Sequence, residues 1–467
     1  MSTRIICAEC VKKQEEIYRL REEVKRLKRE MHRQERQISE GYFGSSTPSS
    51  QKPVKNNSVQ DGEKKNRGGA QVGHQGNGRR SVSAEHADRV EEVKVECSCP
   101  KCHGSNLEPL AQRERTVIDY EIKQVKIVYR LERKRCKACG TVVQAKAPGV
   151  LPKNLYSNNL LAHVATEHYI NGIRLGHLER QTDVNIGSLI KTMHQLGRIL
   201  QDVPDKLIAD YRQAPVKHAD ETGWRNNGQN GYSWLFGTKD TAIFRFRQSR
   251  SGKVAQEVFG SEQLPGVLVV DRYNGYNKAP CEIQYCYAHL LRDIQDLEKE
   301  FSDNEEIRTF VQDAAPLLAE AMNLRSLPIS DEEFYQRAAM TKEEIIKIMN
   351  SEANHLGIQN IQNIFRENSH RLYHWANSRD VPADNNFAER ELRPLVMARK
   401  VSFGSHSDAG AKTRETLMTV LKTLRLRTKN NISTVAAFAT FLNLLAENAG
   451  MDAYKSLFEK EEISTRK

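Results

Sequence analysis

The spacing of apolar residues changes regime several times along the 467-residue chain, and each change predicts an element. Ile17, Leu20, Val24, Leu27, Met31 and Ile38 step by three and four, Gln34 fills one seam position, and the flanks are Lys, Arg and Glu. This heptad seam predicts a short coiled coil within 1–42, and with it a dimer; a single solvated helix with one weak stripe is the alternative. Residues 43–84 are rich in Ser, Pro, Asn, Gly and Lys and hold too few apolar positions to fold alone, so a disordered basic linker is expected there. From 85 to 150, two strand-like stretches at 117–120 and 125–129 lie between Cys97-Ser-Cys-Pro-Lys-Cys and Cys136-Lys-Ala-Cys-Gly.

Helical spacing returns over 151–205, through Leu160, Leu161, Val164 and Ala165, with a break at Gly172. The turn-like stretch 183–187 then separates two helices in the manner of a helix-turn-helix, whose second member near 188–200 would enter a major groove; small helical bundles share the pattern. Alternation follows: 214–219 reads as a strand, Asn226-Asn-Gly-Gln-Asn-Gly as a turn, and 232–237 with 242–246 as a hairpin. Next come a helix at 252–259, an apolar strand at 266–270, a strand at 283–287 and an amphipathic helix at 290–301. A charged helical insertion over 302–378, broken at Pro328 and 350–354, divides this first part of an α/β core, 206–301, from its remainder, 379–425. Residues 426–467 read as a C-terminal helical element.

The net charge of +11 and pI near 9.1 favour an anionic partner, because Lys and Arg that neutralise phosphates release counterions. Charge alone does not separate nucleic acid from a membrane surface. No apolar run nears the roughly 18 residues of a spanning helix, and the Met-Ser-Thr-Arg start lacks a signal-peptide core. The expectation is a soluble, intracellular protein with no membrane partner. Of the nine cysteines, Cys7 and Cys10, Cys99 and Cys102, and Cys136 and Cys139 are paired two residues apart, which is metal-ligand spacing. The last two pairs predict a structural Zn²⁺ in a ribbon-like domain over 85–150, with Cys97 able to replace Cys99; buried free thiols are the alternative. Cys7 and Cys10 have no partner pair nearby, and Cys281 reads as an ordinary packed thiol.

Three acids complete the picture. Asp220 follows the first strand of the alternating region, Asp271 closes Gly-Val-Leu-Val-Val-Asp, and Glu389 lies in Asp-Asn-Asn-Phe-Ala-Glu-Arg. The strand order is taken as strand, strand, strand, helix, strand, helix, strand, a ribonuclease-H-like arrangement whose first and fourth strands lie side by side and parallel. Asp220 and Asp271 would then face one another at the carboxyl edge of the sheet, and so close a pair repels unless a cation neutralises it. Hard Mg²⁺ is held by such carboxylate oxygens, and paired metals suit nucleotidyl transfer. The plainer reading is three strand-end or cap residues. Glu389 sits on the first turns of a helix capped by Asp384 or Asn385; Arg393 shares its face, and Glu391, two residues on, points elsewhere and is the rival.

With these motifs in place the chain resembles the transposases of the insertion-sequence sixty-six family, within the DDE superfamily. The resemblance covers nearly the whole chain, including Arg67-Gly-Gly-Ala-Gln-Val-Gly-His-Gln-Gly, Asp220-Glu-Thr, Asp271-Arg-Tyr-Asn-Gly-Tyr, Cys286-Tyr-Ala-His-Leu, Asp384-Asn-Asn-Phe-Ala-Glu-Arg-Glu-Leu-Arg-Pro and Ser402-Phe-Gly-Ser. It implies a catalytic triad of Asp220, Asp271 and Glu389 using Mg²⁺ or Mn²⁺, cleavage at element ends, and attack of the freed 3′-hydroxyl on target DNA. It also implies double-stranded DNA as partner, namely terminal inverted repeats and target, with a homo-oligomer, element-encoded accessory proteins, and a place in the bacterial cytoplasm at the nucleoid. Cys286 and His289 match a Cys-x-x-His signature of several transposase groups, with a packed helix start as the plainer reading. Departures are Tyr287 where the family commonly has Trp, Leu291-Arg292 where it has Arg-Arg, and an unusually basic stretch after Leu417. They bear on DNA-end specificity rather than on the triad. A nuclease of the same fold without strand transfer, and an inactive zinc-ribbon DNA-binding regulator, are the alternatives.

Overall fold

The computed structural model describes residues 124–428, 432–448 and 450–458, with scattered positions before them that include the 3-10 turn Ala84–His86. Of the heptad seam only Leu20 is described; it is helical and 49 % exposed. The rest of the seam, the linker between Gly44 and Arg80, Cys7, Cys10, Cys97, Cys99, Cys102 and the strand-like stretch 117–120 lie outside the described residues. Residues 1–123 and 124–467 form separate compact units, and the second carries the sheet and every helix from Asn158 onward.

Residues 125–129, read as a strand, carry no regular structure. Val125, Ile127 and Val128 are exposed, so their alternation has no packed face to serve. The short strands β1 (Arg133–Arg135) and β2 (Val142–Gln144) pair antiparallel on either side of Cys136-Lys-Ala-Cys-Gly instead. Four helices follow: α1 (Asn158–Tyr169), α2 (Leu175–Thr182), α3 (Ile186–Ile199) and α4 (Val203–Gln213). The expected turn is present between α2 and α3: Asp183 adopts φ 53°, and the Asn185 side chain caps α3 by accepting from the Gly187 N–H at 2.9 Å. Leu189, Met193 and Leu196 of α3 are buried, while Ile186, Ile190, Lys191 and Arg198 face out.

The centre is a five-stranded mixed sheet in the order β5-β4-β3-β6-β7, built from β3 (Val216–Asn226), β4 (Gln229–Thr238), β5 (Thr241–Arg247), β6 (Val267–Val270) and β7 (Glu282–Tyr285). Strands β3, β4 and β5 run antiparallel, and β3, β6 and β7 parallel, so the first and fourth core strands are neighbours as expected. Asn227 and Gly228, both at positive φ, make the two-residue turn between β3 and β4, which lets β3 run seven residues past its expected end at Ala219. The expected helix between the fourth and fifth strands is missing: only a 3-10 turn, Asn274–Tyr276, joins them. Helix α5 (Gly252–Phe259) lies before β6, and α6 (Tyr287–Glu300) comes after β7.

Gly266 sets the parallel register. Its φ is 74°, and a Cβ there would stand 2.0 Å from the Pro215 carbonyl oxygen. Only glycine lets the Val267 N–H bond that oxygen at 2.9 Å and align β6 with β3.

Helices α7 (Glu305–Asn323), α8 (Asp331–Met349), α9 (Leu356–Glu367) and the single turn α10 (His374–Asn377) fill 302–378, with breaks near Pro328 and 350–354. Then come α11 (Asn386–Ser402), α12 (Asp408–Arg427), α13 (Thr434–Glu447) and α14 (Ala453–Phe458).

Helix α12 guards the sheet's edge. The outward N–H groups of β5 at Ala242, Phe244 and Phe246 donate to Thr423 Oγ1, Thr419 Oγ1 and a Glu415 carboxylate oxygen at 3.1, 2.9 and 3.0 Å. Four helical residues rise about 6 Å and two strand residues about 6.7 Å, so acceptors four apart match donors two apart. An edge that would otherwise pair with another chain is thereby covered. The stretch after Leu417, read as basic and bearing on DNA ends, is therefore core over most of its length: Met418, Val420, Leu421, Lys422 and Leu424 are buried. Glu415 bonds Arg245 at 2.8 Å and Arg247 at 3.1 Å, and Lys422 bonds Glu391 at 3.0 Å, so the charges are satisfied inside.

Candidate active site

The parallel pairing of β3 with β6 joins Val216, Lys217 and His218 to Val267, Leu268 and Val269, a constant offset of 51 residues. Carried two positions further, that offset sets Asp271 opposite Asp220. Asp220 is not at a strand end: β3 continues beside β4, and only its pairing with β6 stops there. Asp271 does end its strand, and its Oδ1 accepts from the Tyr273 N–H at 2.9 Å to start the following turn.

Burial pushes the Asp220 carboxyl up to about 8, with further contributions from the negative charges of Glu221, Asp271 and, last, Glu389. A carboxylate that feels three others is one that a cation would restore to its charged form. The donors are all carboxylate oxygens, which suits a hard divalent ion such as Mg²⁺ and excludes the thiolate and imidazole chemistry of a zinc centre at this point. Among the described residues no three His, Cys, Asp or Glu side chains stand close enough together to cage an ion by themselves.

Glu389 lies on the first turn of α11 and is partly exposed, with Arg292 of α6 3.7 Å away. Glu391 points into the protein to Lys422. Arg393 is exposed, and the ion pair of Glu389 is with Arg292. Asn385 stands in the N-cap position, but its side chain makes no cap hydrogen bond; Asp384 instead accepts from the Asn386 N–H at 2.9 Å. The Asn385 amide turns inward. Its Nδ2 donates to the Ala219 carbonyl at 2.9 Å, which leaves Oδ1 to accept from His218 Nδ1 at 2.9 Å. Its backbone N–H donates to Cys286 Sγ at 3.2 Å. One residue thus ties the start of the Glu389 helix to β3, just before Asp220, and to the end of β7.

Cys286 is fully buried, and burial pushes its thiol up to about 11, so it serves as a packed acceptor rather than a nucleophile or ligand. His289 is brought to the same helix start, and its Nδ1 is buried without a hydrogen-bond partner. Among the described residues neither belongs to a group of three His, Cys, Asp or Glu side chains able to hold a metal.

Sequence reasoning missed Glu221, Tyr276 and Arg250. The Glu221 side chain is 2 % exposed, accepts from the Tyr276 hydroxyl at 2.5 Å and pairs with Arg250 at 2.7 Å. Tyr276 belongs to Asp271-Arg-Tyr-Asn-Gly-Tyr and is fully buried, so this motif folds the turn after Asp271 back onto β3. The signal was an acid beside Asp220 in a strand, where alternation sends neighbouring side chains to opposite faces.

At the second predicted centre, Cys136 and Cys139 form the tight turn between β1 and β2, closed by the Gly140 N–H to the Cys136 carbonyl at 2.9 Å. Both thiols are free and exposed, and the Thr141 hydroxyl beside Cys139 lowers that thiol. Half of a tetrahedral site is presented, while Cys99, Cys102 and Cys97 lie outside the described residues.

Among the described residues no helix is long and apolar enough to cross a membrane. Two proteins of Sinorhizobium fredii (strain NBRC 101917 / NGR234) are similar to this chain, both carried as uncharacterized. Protein y4qI is 24 % identical over 389 residues, covering 73 % of this chain and 70 % of its own length. Protein y4hP is 23 % identical over 424 residues, covering 79 % and 74 %. The model of the IS66 family of transposases matches residues 153–413, which holds the sheet, both aspartates, the inserted helices and the Glu389 helix, and by this match the chain belongs to the IS66 transposase family.

Proposed function

We propose that this chain is a DDE transposase with a ribonuclease-H-like core, which cuts DNA at the ends of its element and joins the freed 3′-hydroxyl to target DNA. The observation that carries this reading is the register that sets Asp271 opposite Asp220 where the parallel strands part. Asp220 and Asp271 would hold one Mg²⁺ or Mn²⁺, and Glu389 would contribute to holding a second. Divalent ions bound there supply activation of the attacking oxygen and charge neutralisation at the leaving one.

The chain's own residues do the rest. Burial and the neighbouring negative charges raise the Asp220 carboxyl to about 8, so a cation bound there would displace its proton and hold it ionised. Asn385 aims the helix that carries Glu389. Arg292, half exposed beside Glu389, is positioned to meet a phosphate oxygen. The Glu221, Tyr276 and Arg250 cluster keeps the Asp271 turn against β3. Helices α2 and α3 would approach DNA, the Cys136 turn would share Zn²⁺ with Cys99 and Cys102, and the heptad seam would dimerise the chain.

Strand joining is the discriminating activity. A pre-cut element end incubated with target plasmid and Mg²⁺ should be joined to it. A protein that cuts but never joins is a nuclease, and that result would remove transposition from the account.

A further inference from the structure

A recess of about 560 Å³ opens between α1, α2 and α3 on one side and the 402–407 loop on the other. Ile173, Ile186, Ile190, Val401 and Phe403 give it apolar walls, and no Asp or Glu lines it. Its volume falls within the range of small-molecule sites, about 300 to 1,000 Å³.

Two features are unexplained by packing. Arg414 lines the recess and is 6 % exposed, yet no carboxylate among the described residues pairs with it. Its guanidinium lies 5.0 Å from the Tyr169 ring and 5.2 Å from the Trp224 ring, and one nitrogen meets His168 Nε2 at 2.9 Å. His168 Nδ1 is bonded to the Ile173 carbonyl at 2.8 Å, so it donates there and Nε2 is a neutral acceptor. The other terminal nitrogen, Nη1, is buried without a partner. The neighbouring Glu415 is taken by Arg245, Arg247 and Lys412. A buried cation without a counter-charge is costly; the two rings and the neutral imidazole offset part of that cost, and an anion in the recess would offset more.

The second feature is Phe403. It is 74 % exposed and sits at φ 60°, a conformation that bulky residues rarely adopt. Gly404 holds it there: a Cβ on Gly404 would stand 2.1 Å from the Arg225 carbonyl oxygen, and the Ser405 N–H bonds that same oxygen at 2.9 Å. The β3–β4 hairpin therefore locks an aromatic ring at the mouth of the recess.

We propose that this recess takes one unpaired deoxynucleotide of the DNA being processed, with its base on Phe403, Val401 and the isoleucines and its phosphate toward Arg414 and Arg174. The inference rests on the reading of this chain as a DNA-cutting enzyme. Aromatic faces accept any base by stacking, and an anion beside Arg414 satisfies the uncompensated charge. Val401 lies twelve residues beyond Glu389 on α11, about 18 Å along the helix, so one DNA end can touch both.

The test measures binding of the full chain, without added Mg²⁺ or Mn²⁺, to a fluorescent duplex with a five-nucleotide single-stranded extension and to the same duplex made blunt. The extended duplex should bind at least ten-fold more tightly. Phe403→Ala, on the surface, and Arg414→Gln, which removes the charge, should each bring it to the blunt value without changing blunt binding; if Arg414→Gln does not fold, Phe403→Ala decides. Equal binding of the two duplexes by the parent, or a full preference retained by Phe403→Ala, overturns the proposal. Competition by dAMP as strong as by a free single strand makes this a free-nucleotide site and overturns its DNA occupant. Glu389→Gln should keep the preference, so a preference kept by a parent that never cuts DNA would sink the transposase reading alone.

Discussion

Glu391 forms a buried ion pair with Lys422 at 3.0 Å, and that pair tells the two glutamates of α11 apart. Two residues along a helix is about 200° of rotation, so with Glu391 turned inward Glu389 is left facing out beside Arg292. Glu389→Gln should abolish DNA cleavage with little change in melting temperature. Glu391→Gln should do the reverse, because it leaves Lys422 buried without its anion, at a cost of about 3 kcal/mol. Thermal melts paired with cleavage assays below the lower melting point check both; equal loss of activity in the two variants would contradict the assignment.

Asn385 is the joint between the Glu389 helix and β3. Asn385→Ala removes hydrogen bonds to Ala219 and His218 and should destabilise the fold by about 1 to 3 kcal/mol. It should also lower the cleavage rate at least ten-fold, read at a temperature where the variant remains folded by circular dichroism. A variant that loses stability but cuts at the parent rate would show that the joint does not aim Glu389.

Much of the fold and the site was legible in the sequence, and the exceptions share a cause. Apolar alternation marked the strands, and their order placed Asp220 beside Asp271 because a parallel pair at the centre of such a sheet leaves few other arrangements. The packing role of α12 was not visible in its basic composition, because its charges are held inside: Arg414, Glu415 and Lys422 are all buried. Glu415 meets Arg245 across 170 residues and Lys422 meets Glu391 across 31, beyond any local pattern. Glu221 hid for the same reason, as did the inward turn of the Asn385 amide, which a cap pattern assigns to its own helix.

The edge bonds of α12 supply a separate check. Thr419→Val should leave the Phe244 N–H buried and without an acceptor, costing about 1 to 3 kcal/mol and raising the tendency to aggregate through β5. Urea unfolding and light scattering measure the two effects. No change in either would mean that the helix does not cap the edge in solution.

Acid should destabilise the protein through two buried imidazoles. Burial, with Arg414 nearby, holds His168 at about 3, and burial holds His218 at about 4. Both lie below the ordinary value near 6.5, so the unfolded chain binds more protons over this interval and stability falls as pH drops from about 6.5 toward 4. Asp220, held up at about 8, acts in the opposite direction over the same interval, so the imidazole contribution is read by difference: His218→Gln should lose less stability to urea than the parent does between pH 7.5 and pH 5. The same change in urea midpoint between the two pH values for the parent and for His218→Gln would contradict the buried neutral state.

The central claim is that Asp220, Asp271 and Glu389 act together on DNA through a divalent metal. The most direct measurement is Mg²⁺-dependent cleavage of an element-end duplex by the parent and by Asp220→Asn, Asp271→Asn and Glu389→Gln, with DNA binding measured on the same samples. All three variants should bind as the parent does and cut at no more than about one-thousandth of its rate, in line with loss of a principal electrostatic contribution. Cutting at the parent rate by any one of them would contradict it.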